Sequence, residues 1–296
     1  MKSEIISVGT EILIGDIVDT NSEYISKRLA ELGVNCYYHT TVGDNVNRLT
    51  DTFRTALERS NVIIFTGGLG PTYDDMTKEI VADTLGLEMV YDQESYQRIQ
   101  EIFKKSSRKL TDNNRKQAFI PKRAKVLTNY EGTAPGILIE HEDKVVILLP
   151  GPPHELKEMF ENWVIPYFHQ LTDQIILSHR VYLFGIGESY IEEILREDMV
   201  QYTNPTIAPY AYKGNIYLRI TASAKTEEEA NALIKPVIKH VKAIFKDYVY
   251  SVDIPTLEEA LVKKLKSQNK TLATAESCTG GSISKRITNV SGSSDV

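Results

Sequence analysis

Val62-Ile63-Ile64-Phe65-Thr66-Gly67-Gly68-Leu69-Gly70-Pro71-Thr72-Tyr73-Asp74-Asp75-Met76-Thr77 decides the fold. The first four residues are apolar without a break, the pattern of a strand covered on both faces in a parallel sheet. Three glycines follow before helical periodicity resumes, which marks the strand-to-helix turn of an α/β unit. Gly67, Gly68 and Gly70 let the backbone approach a ligand and aim N–H groups at an anion. Asp74 and Asp75, on the same turn, supply two carboxylates for a divalent cation beside that anion. Thr66 and Thr72 add hydroxyl donors. The competing reading is a glycine-rich turn with Asp75 capping the next helix.

Outward from that turn, residues 1–170 alternate strand and helix signals. Strands are predicted at 4–8, 34–42, 62–65 and 145–149. Thr20-Asn21-Ser22-Glu23 reads as a capping box, and Gly33 as the stop of its helix. Leu49, Phe53 and Ala56 mark one face of another helix. This is the pattern of an α/β fold with a doubly wound, mostly parallel sheet. Ligands of such sheets sit beyond the carboxyl ends of the strands. The loops predicted to converge there hold Glu11 after the first strand, Asp44 after the second, and Pro150, Gly151 and Glu155 after the strand at 145–149. Glu11 and Asp44 are candidates for a metal shell or a ribose hydroxyl. Arg115 and Lys116 are candidate partners of a diphosphate; a solvated helix face is the competing reading.

Residues 171–251 read β-α-β-β-α-β, a small split-βαβ or KH-like α+β domain, with a hairpin turn at Tyr212-Lys213-Gly214-Asn215. After Pro255 a third segment, 252–296, shows a helix at 257–266, a strand at 271–274 and the motif Ala275-Glu276-Ser277-Cys278-Thr279-Gly280-Gly281. About 40 residues rarely fold alone. The segment therefore reads as the opening of a domain not completed here, leaving Leu257, Leu261, Leu265 and Leu272 as exposed apolar surface.

The 296 residues carry a formal net charge of −6, which argues against the broad electrostatic footprint of a duplex-DNA binder and leaves room only for a local basic patch. The two cysteines, Cys36 and Cys278, are too few for a disulfide framework or a cysteine zinc site. No stretch resembles a signal peptide or approaches the ~20 apolar residues of a membrane span. A cytoplasmic location with no membrane partner is the expectation.

The combination of Gly9-Thr10-Glu11-Ile12-Leu13, Val42-Gly43-Asp44, the 66–77 loop, Asn114-Arg115-Lys116-Gln117-Ala118, Gly132-Thr133-Ala134-Pro135-Gly136, Leu149-Pro150-Gly151-Pro152-Pro153-His154-Glu155 and the 275–281 motif resembles the CinA family, nearly end to end. The first domain also resembles the molybdopterin-binding fold of MogA, MoaB and MoeA proteins, whose Gly-Gly-x-Gly loop aligns with Gly67, Gly68 and Gly70. The resemblance implies a metal-dependent hydrolase of ADP-ribose in pyridine nucleotide recycling, with Asp75 and Asp74 catalytic and metal-binding. It admits magnesium, manganese or cobalt, and it implies a homodimer. It places Ser277 at the nucleophile position of a nicotinamide mononucleotide deamidase, an activity expected to be absent from an incomplete domain. Binding or adenylylation of a pterin phosphate is the alternative, and a competence-linked interaction protein without catalysis is a third.

Overall fold

The computed structural model describes residues 1–106, 109–171, 174–212 and 215–296, and the chain divides into two compact units, Met1–Asp173 and Gln174–Val296. The first unit runs β1 (Lys2–Val8), α1 (Thr10–Leu13), α2 (Thr20–Glu31), β2 (Asn35–Val42), α3 (Val46–Arg59), β3 (Val62–Thr66), α4 (Thr77–Thr84) and β4 (Met89–Tyr91). It continues through α5 (Gln93–Ser106), α6 (Asn113–Lys116), β5 (Phe119–Pro121), β6 (Lys125–Leu127), β7 (Gly136–His141) and β8 (Lys144–Leu149). It closes with α7 (Pro153–Met159), a π-helical turn (Phe160–Val164) and α8 (Ile165–Leu171).

Six strands form one sheet in the order β2-β1-β3-β8-β7-β6. β2, β1, β3 and β8 are parallel neighbours, and β7 and β6 add antiparallel pairs at one edge. The parallel strands are apolar on both faces because both faces are covered. Ile5, Ile64 and Ile147 pack with Ile25 and Leu29 of α2 and with Leu156 and Met159 of α7. Ile6, Ile63, Phe65 and Val146 pack on the other side with Leu49, Phe53 and Ala56 of α3 and Ile80 and Val81 of α4. Glu4 is fully buried in β1 and takes two hydrogen bonds from the Arg59 guanidinium, at 2.9 and 2.7 Å, and one from Thr40.

Two expectations for local structure are corrected. The cap of α2 is Asp19, whose Oδ1 accepts from Ser22 N at 2.9 Å, so Thr20 is the first helical residue and not the cap. A carboxylate is a stronger acceptor than a hydroxyl and is favoured at the positive helix end, which moves the start back by one residue. At 271–274 no strand forms and the residues are exposed. An isolated strand has no ladder partner for its backbone groups.

The second unit begins β9 (Ile175–Leu183), α9 (Glu188–Gln201), β10 (Thr206–Tyr212), β11 (Asn215–Ala224), α10 (Glu227–Ile244), β12 (Val249–Val252). Its sheet is antiparallel, in the order β10-β11-β9-β12. β10 is thus separated from β9 by β11, the split-βαβ arrangement expected from the sequence. Lys213 and Gly214 of the expected hairpin turn lie outside the described residues. Both helices cover one sheet face, where Val181, Leu218 and Ile220 meet Ile191 and Leu195 of α9 and Ile234 and Val241 of α10.

α11 (Leu257–Ser267) and α12 (Ser282–Thr288) follow. From Ile254 on, Val262 is the one buried side chain, while Leu261 and Leu272 are exposed and Leu257 and Leu265 partly so. Glu276 takes hydrogen bonds from the N–H groups of Ile283 and Ser284 at the start of α12 and from the Thr279 hydroxyl. The Thr279 hydroxyl first, then these N–H groups, hold its carboxyl down to about 2. Among the described residues no helix is long and apolar enough to cross a membrane.

Candidate active site

Because β1, β2, β3 and β8 run the same way, their carboxyl ends open on one rim. A cavity of about 370 Å³ lies there. Glu11 lines it from the turn after β1, Asp44 from the turn after β2, and Gly67, Gly68, Gly70, Asp74 and Asp75 from the turn after β3. Pro150, Gly151 and Glu155 line it from the turn after β8. Four segments spread over about half the chain meet in one crevice, as the sheet topology predicts.

The β3–α4 turn is locked from behind. Gly67 N–H bonds Leu149 O at 3.0 Å, Thr77 N–H bonds Gly68 O at 3.1 Å, and the Thr77 hydroxyl bonds Gly67 O at 3.0 Å. Gly67 and Gly68 adopt φ of +103° and +68°. A Cβ on Gly67 would sit 2.2 Å from Val8 O, and one on Gly68 would sit 2.0 Å from the Thr77 hydroxyl. With two carbonyls occupied, the N–H groups of Gly68, Leu69 and Gly70 find no acceptor among the described residues. Successive free N–H groups in such a turn form an anion-binding concavity.

The acidic side chains are held in place. Asp75 Oδ2 accepts from Thr72 N at 2.9 Å and also from the Thr72 hydroxyl, which is shared with Asp74 Oδ1. The Thr72 hydroxyl keeps the Asp74 carboxyl below the usual carboxylate range, so it is ionised at neutral pH. Asp44 Oδ2 accepts from the N–H and the hydroxyl of Thr10, each at 2.9 Å. Glu155 Oε2 accepts from Asn129 Nδ2 at 2.6 Å. Asp75 does not cap α4; the cap position is Met76, which makes no side-chain cap bond.

Among the described residues no three His, Cys, Asp or Glu side chains are grouped as a ready-made metal site. Two adjacent carboxylates with free oxygens still fit magnesium, which takes one or two protein carboxylates and completes its shell with water and substrate phosphates. Asp74 and Asp75 are the residues that would hold it.

Two expected site residues do not line this cavity, although Thr66 lines an adjoining one. Thr66 is buried, and its hydroxyl accepts from Asn21 Nδ2 at 2.9 Å and donates to Pro150 O at 3.3 Å. Its role is to tie the β3 and β8 turns together. Thr72 orients Asp74 and Asp75 and does not line the cavity. Arg115 and Lys116 also serve elsewhere. Lys116 Nζ donates to the carbonyls of Thr72 and Asp75, buttressing the turn, and Arg115 lies over the Tyr91 ring.

Gln117, Thr133 and Ala134 line the cavity and were not read as site residues, although each sits in a motif of the family resemblance. Gln117 is 1% exposed. Its Oε1 accepts from Asn114 Nδ2 at 3.5 Å, and its Nε2 has no acceptor among the described residues.

Residues 4–170 match the family described as "Probable molybdopterin binding domain", 178–251 the "Damage-inducible protein CinA KH domain", and 254–296 the "CinA C-terminal domain". The last match shows which family the third segment, residues 254–296, is similar to. A CinA-like protein of Dictyoglomus turgidum is 49% identical over 100% of this chain and 72% of its own length. One from Dictyoglomus thermophilum is 49% identical over 99% of this chain and 71% of its own length. A crystal structure of the protein CinA, of unknown function, from Thermoplasma acidophilum shares 36% identity. It covers 54% of this chain and 94% of its own, with a TM-score of 0.50.

Proposed function

The chain belongs to the CinA family, and from that premise we propose that its first unit hydrolyses ADP-ribose to AMP and ribose 5-phosphate with a divalent cation, in pyridine nucleotide recycling. One observation carries the reading. Among the described residues the cavity is lined by five carboxylates (Glu11, Asp44, Asp74, Asp75 and Glu155) and by no lysine, arginine or histidine, yet it faces a turn with three N–H groups that no described residue accepts. A diphosphate placed there is repelled by the carboxylates unless a cation lies between. The two features together fit a metal-bound phosphate ester better than a free anion or a free cation.

A magnesium, manganese or cobalt ion would offset charge on the phosphate oxygens there. Asp75 and Asp74 would hold it, and Thr72 fixes both carboxylates. The N–H groups of Gly68, Leu69 and Gly70, with the Gln117 amide, orient the diphosphate. Asp44 and Glu11 are placed for ribose hydroxyls. Attack of water at one phosphorus breaks the P–O–P bridge; AMP and ribose 5-phosphate leave, and the water proton passes to solvent. Two further cavities adjoin the first and give room for the two ends of such a substrate. One, of about 290 Å³, shares Val8, Glu11, Gly151 and Pro152; the other, of about 160 Å³, shares Thr133.

The test is product analysis of the purified chain with ADP-ribose and a panel of divalent cations, beside Asp75→Asn. Metal-dependent AMP and ribose 5-phosphate, lost in the folded variant, supports the assignment. Turnover retained by Asp75→Asn, or no product with any metal, overturns it.

A second reading is favoured by the match of residues 4–170 to a molybdopterin-binding family. The same N–H concavity would then hold a pterin phosphate. Saturable molybdopterin binding by protein that leaves ADP-ribose intact would select it.

A further inference from the structure

The sheet of the second unit has a second face. Opposite the helices, the register places Tyr182, Tyr217 and Tyr210 side by side on β9, β11 and β10, with Arg180, Arg219 and Ala208 in the next row and Ser178, Thr221 and Thr206 beyond. The tyrosines form a continuous ladder. The rings of Tyr210 and Tyr217 stack at 5.3 Å with 14° between their planes, Tyr217 and Tyr182 lie 5.4 Å apart, and Tyr182 and Tyr250 of β12 lie 5.9 Å apart. Tyr182 is closed in at the centre, 6% exposed, whereas Tyr210, on the edge strand, is 41% exposed. The ladder ends on an open ring.

The charge on this face is positive. The Arg180 guanidinium lies 5.9 Å from the Tyr217 ring centre, and Arg219 Nε donates to the Ser178 hydroxyl at 3.2 Å. Neither arginine forms an ion pair among the described residues. The nearby Asp253 carboxylate is engaged by His179 and by the Arg180 backbone N–H; His179 reaches Asn231 of α10 on the helix face. Glu258, beside Tyr250, is paired with Arg286.

We propose that this tyrosine–arginine sheet face binds single-stranded nucleic acid, with a base stacked on Tyr210 and phosphates held by Arg180 and Arg219. Aromatic rings on the open face of a four-stranded sheet are a known solution to base stacking, and guanidinium groups beside them complement a phosphodiester backbone. The overall charge of −6 is no obstacle, because the carboxylates of α9 and α10 lie on the opposite side of the sheet. No residue of this face lines the proposed hydrolase cavity.

The test is fluorescence anisotropy of labelled 15-nucleotide oligo-dT and oligo-U with the full chain, against a duplex of the same length. The expected result is salt-sensitive binding of a single strand in preference to duplex. Tyr210→Ala should weaken it by about 5- to 150-fold, the effect of one lost base–aromatic stack, and Tyr210→Phe should retain it. Arg180→Ala with Arg219→Ala should lower the slope of log affinity against log salt by about 0.7 per arginine. Circular dichroism shows that each variant is folded. Absence of binding to either single strand, binding unchanged by Tyr210→Ala, or equal binding of duplex overturns the proposal. Preference between the two oligonucleotides identifies RNA or DNA as the source of the strand.

Discussion

The Asp75 carboxylate occupies the space that a side chain on Gly70 would fill: a Cβ there would lie 2.4 Å from Asp75 Oδ2. The glycine is thus required for the position of an acid and not for a left-handed backbone. Gly70→Ala should fold with little change in melting temperature, since the far end of a side chain can move aside. Its metal-dependent turnover should nevertheless fall by about 100-fold, the scale of a 1 Å misplacement in a site. Steady-state kinetics beside a thermal melt checks this; wild-type turnover would show that Asp75 need not be held there.

Gln117 brings the one buried amide to a cavity otherwise rich in carboxylates. Gln117→Ala should lower kcat/KM for a diphosphate substrate by about 10- to 150-fold, the effect of one hydrogen bond to a charged group. Gln117→Glu should be worse, because it adds a sixth negative charge. Equal activity of the glutamate variant would remove Gln117 from the site.

Glu4 has no solvent exposure and relies on Arg59, which is itself 36% exposed. Arg59→Ala leaves a buried carboxylate unpaired and should cost about 3 kcal/mol of stability. The second change Glu4→Gln should restore part of the loss, because it removes the unpaired charge. Urea midpoints of the two variants give the answer.

Lys78 lies behind the glycine turn, with its amine bonded to Lys116 O at 2.6 Å, and burial pushes its pKa down from 10.5 to about 8. The folded state therefore releases this proton before the unfolded state does. Below pH 8 both states are charged and the folded one carries the full burial penalty. Between pH 8 and 10.5 the unfolded state holds more protons, so stability rises with pH. Relative to Lys78→Met, wild type should gain up to about 3 kcal/mol across that window. Urea melts of both proteins at pH 7.5 and pH 10 measure the difference; a constant gap would show that the amine is solvated.

The parallel core was readable because strands buried on both faces need uninterrupted apolar runs, as in Val62-Ile63-Ile64-Phe65 and Val145-Val146-Ile147-Leu148-Leu149. The glycine turn was readable because contact with Val8 and Thr77 leaves no space for a Cβ. Short elements such as β4, β5 and β6 span three residues each and were not, since three residues carry no period. The cap of α2 was misplaced by one residue because Asp19 and Thr20 are both competent acceptors and only the chain path chooses. That Asn21 and Pro150 engage the Thr66 hydroxyl was not readable, because those partners lie far away in sequence. Gln117 was passed over because a glutamine at the end of a short polar helix carries no signal of burial in the sequence.

β8 is the last strand of the parallel set to be synthesised, yet it sits beside β3 in the sheet and carries Pro150, Gly151 and Glu155 to the rim. On a ribosome, the glycine turn emerges some eighty residues before the wall that faces it. A nascent chain therefore displays its acidic loop with no enclosure around it and gains a closed crevice only when β8 docks. The crevice thus takes its last wall from the end of the parallel set, and a chain broken off before residue 149 lacks Pro150, Gly151 and Glu155 from its rim.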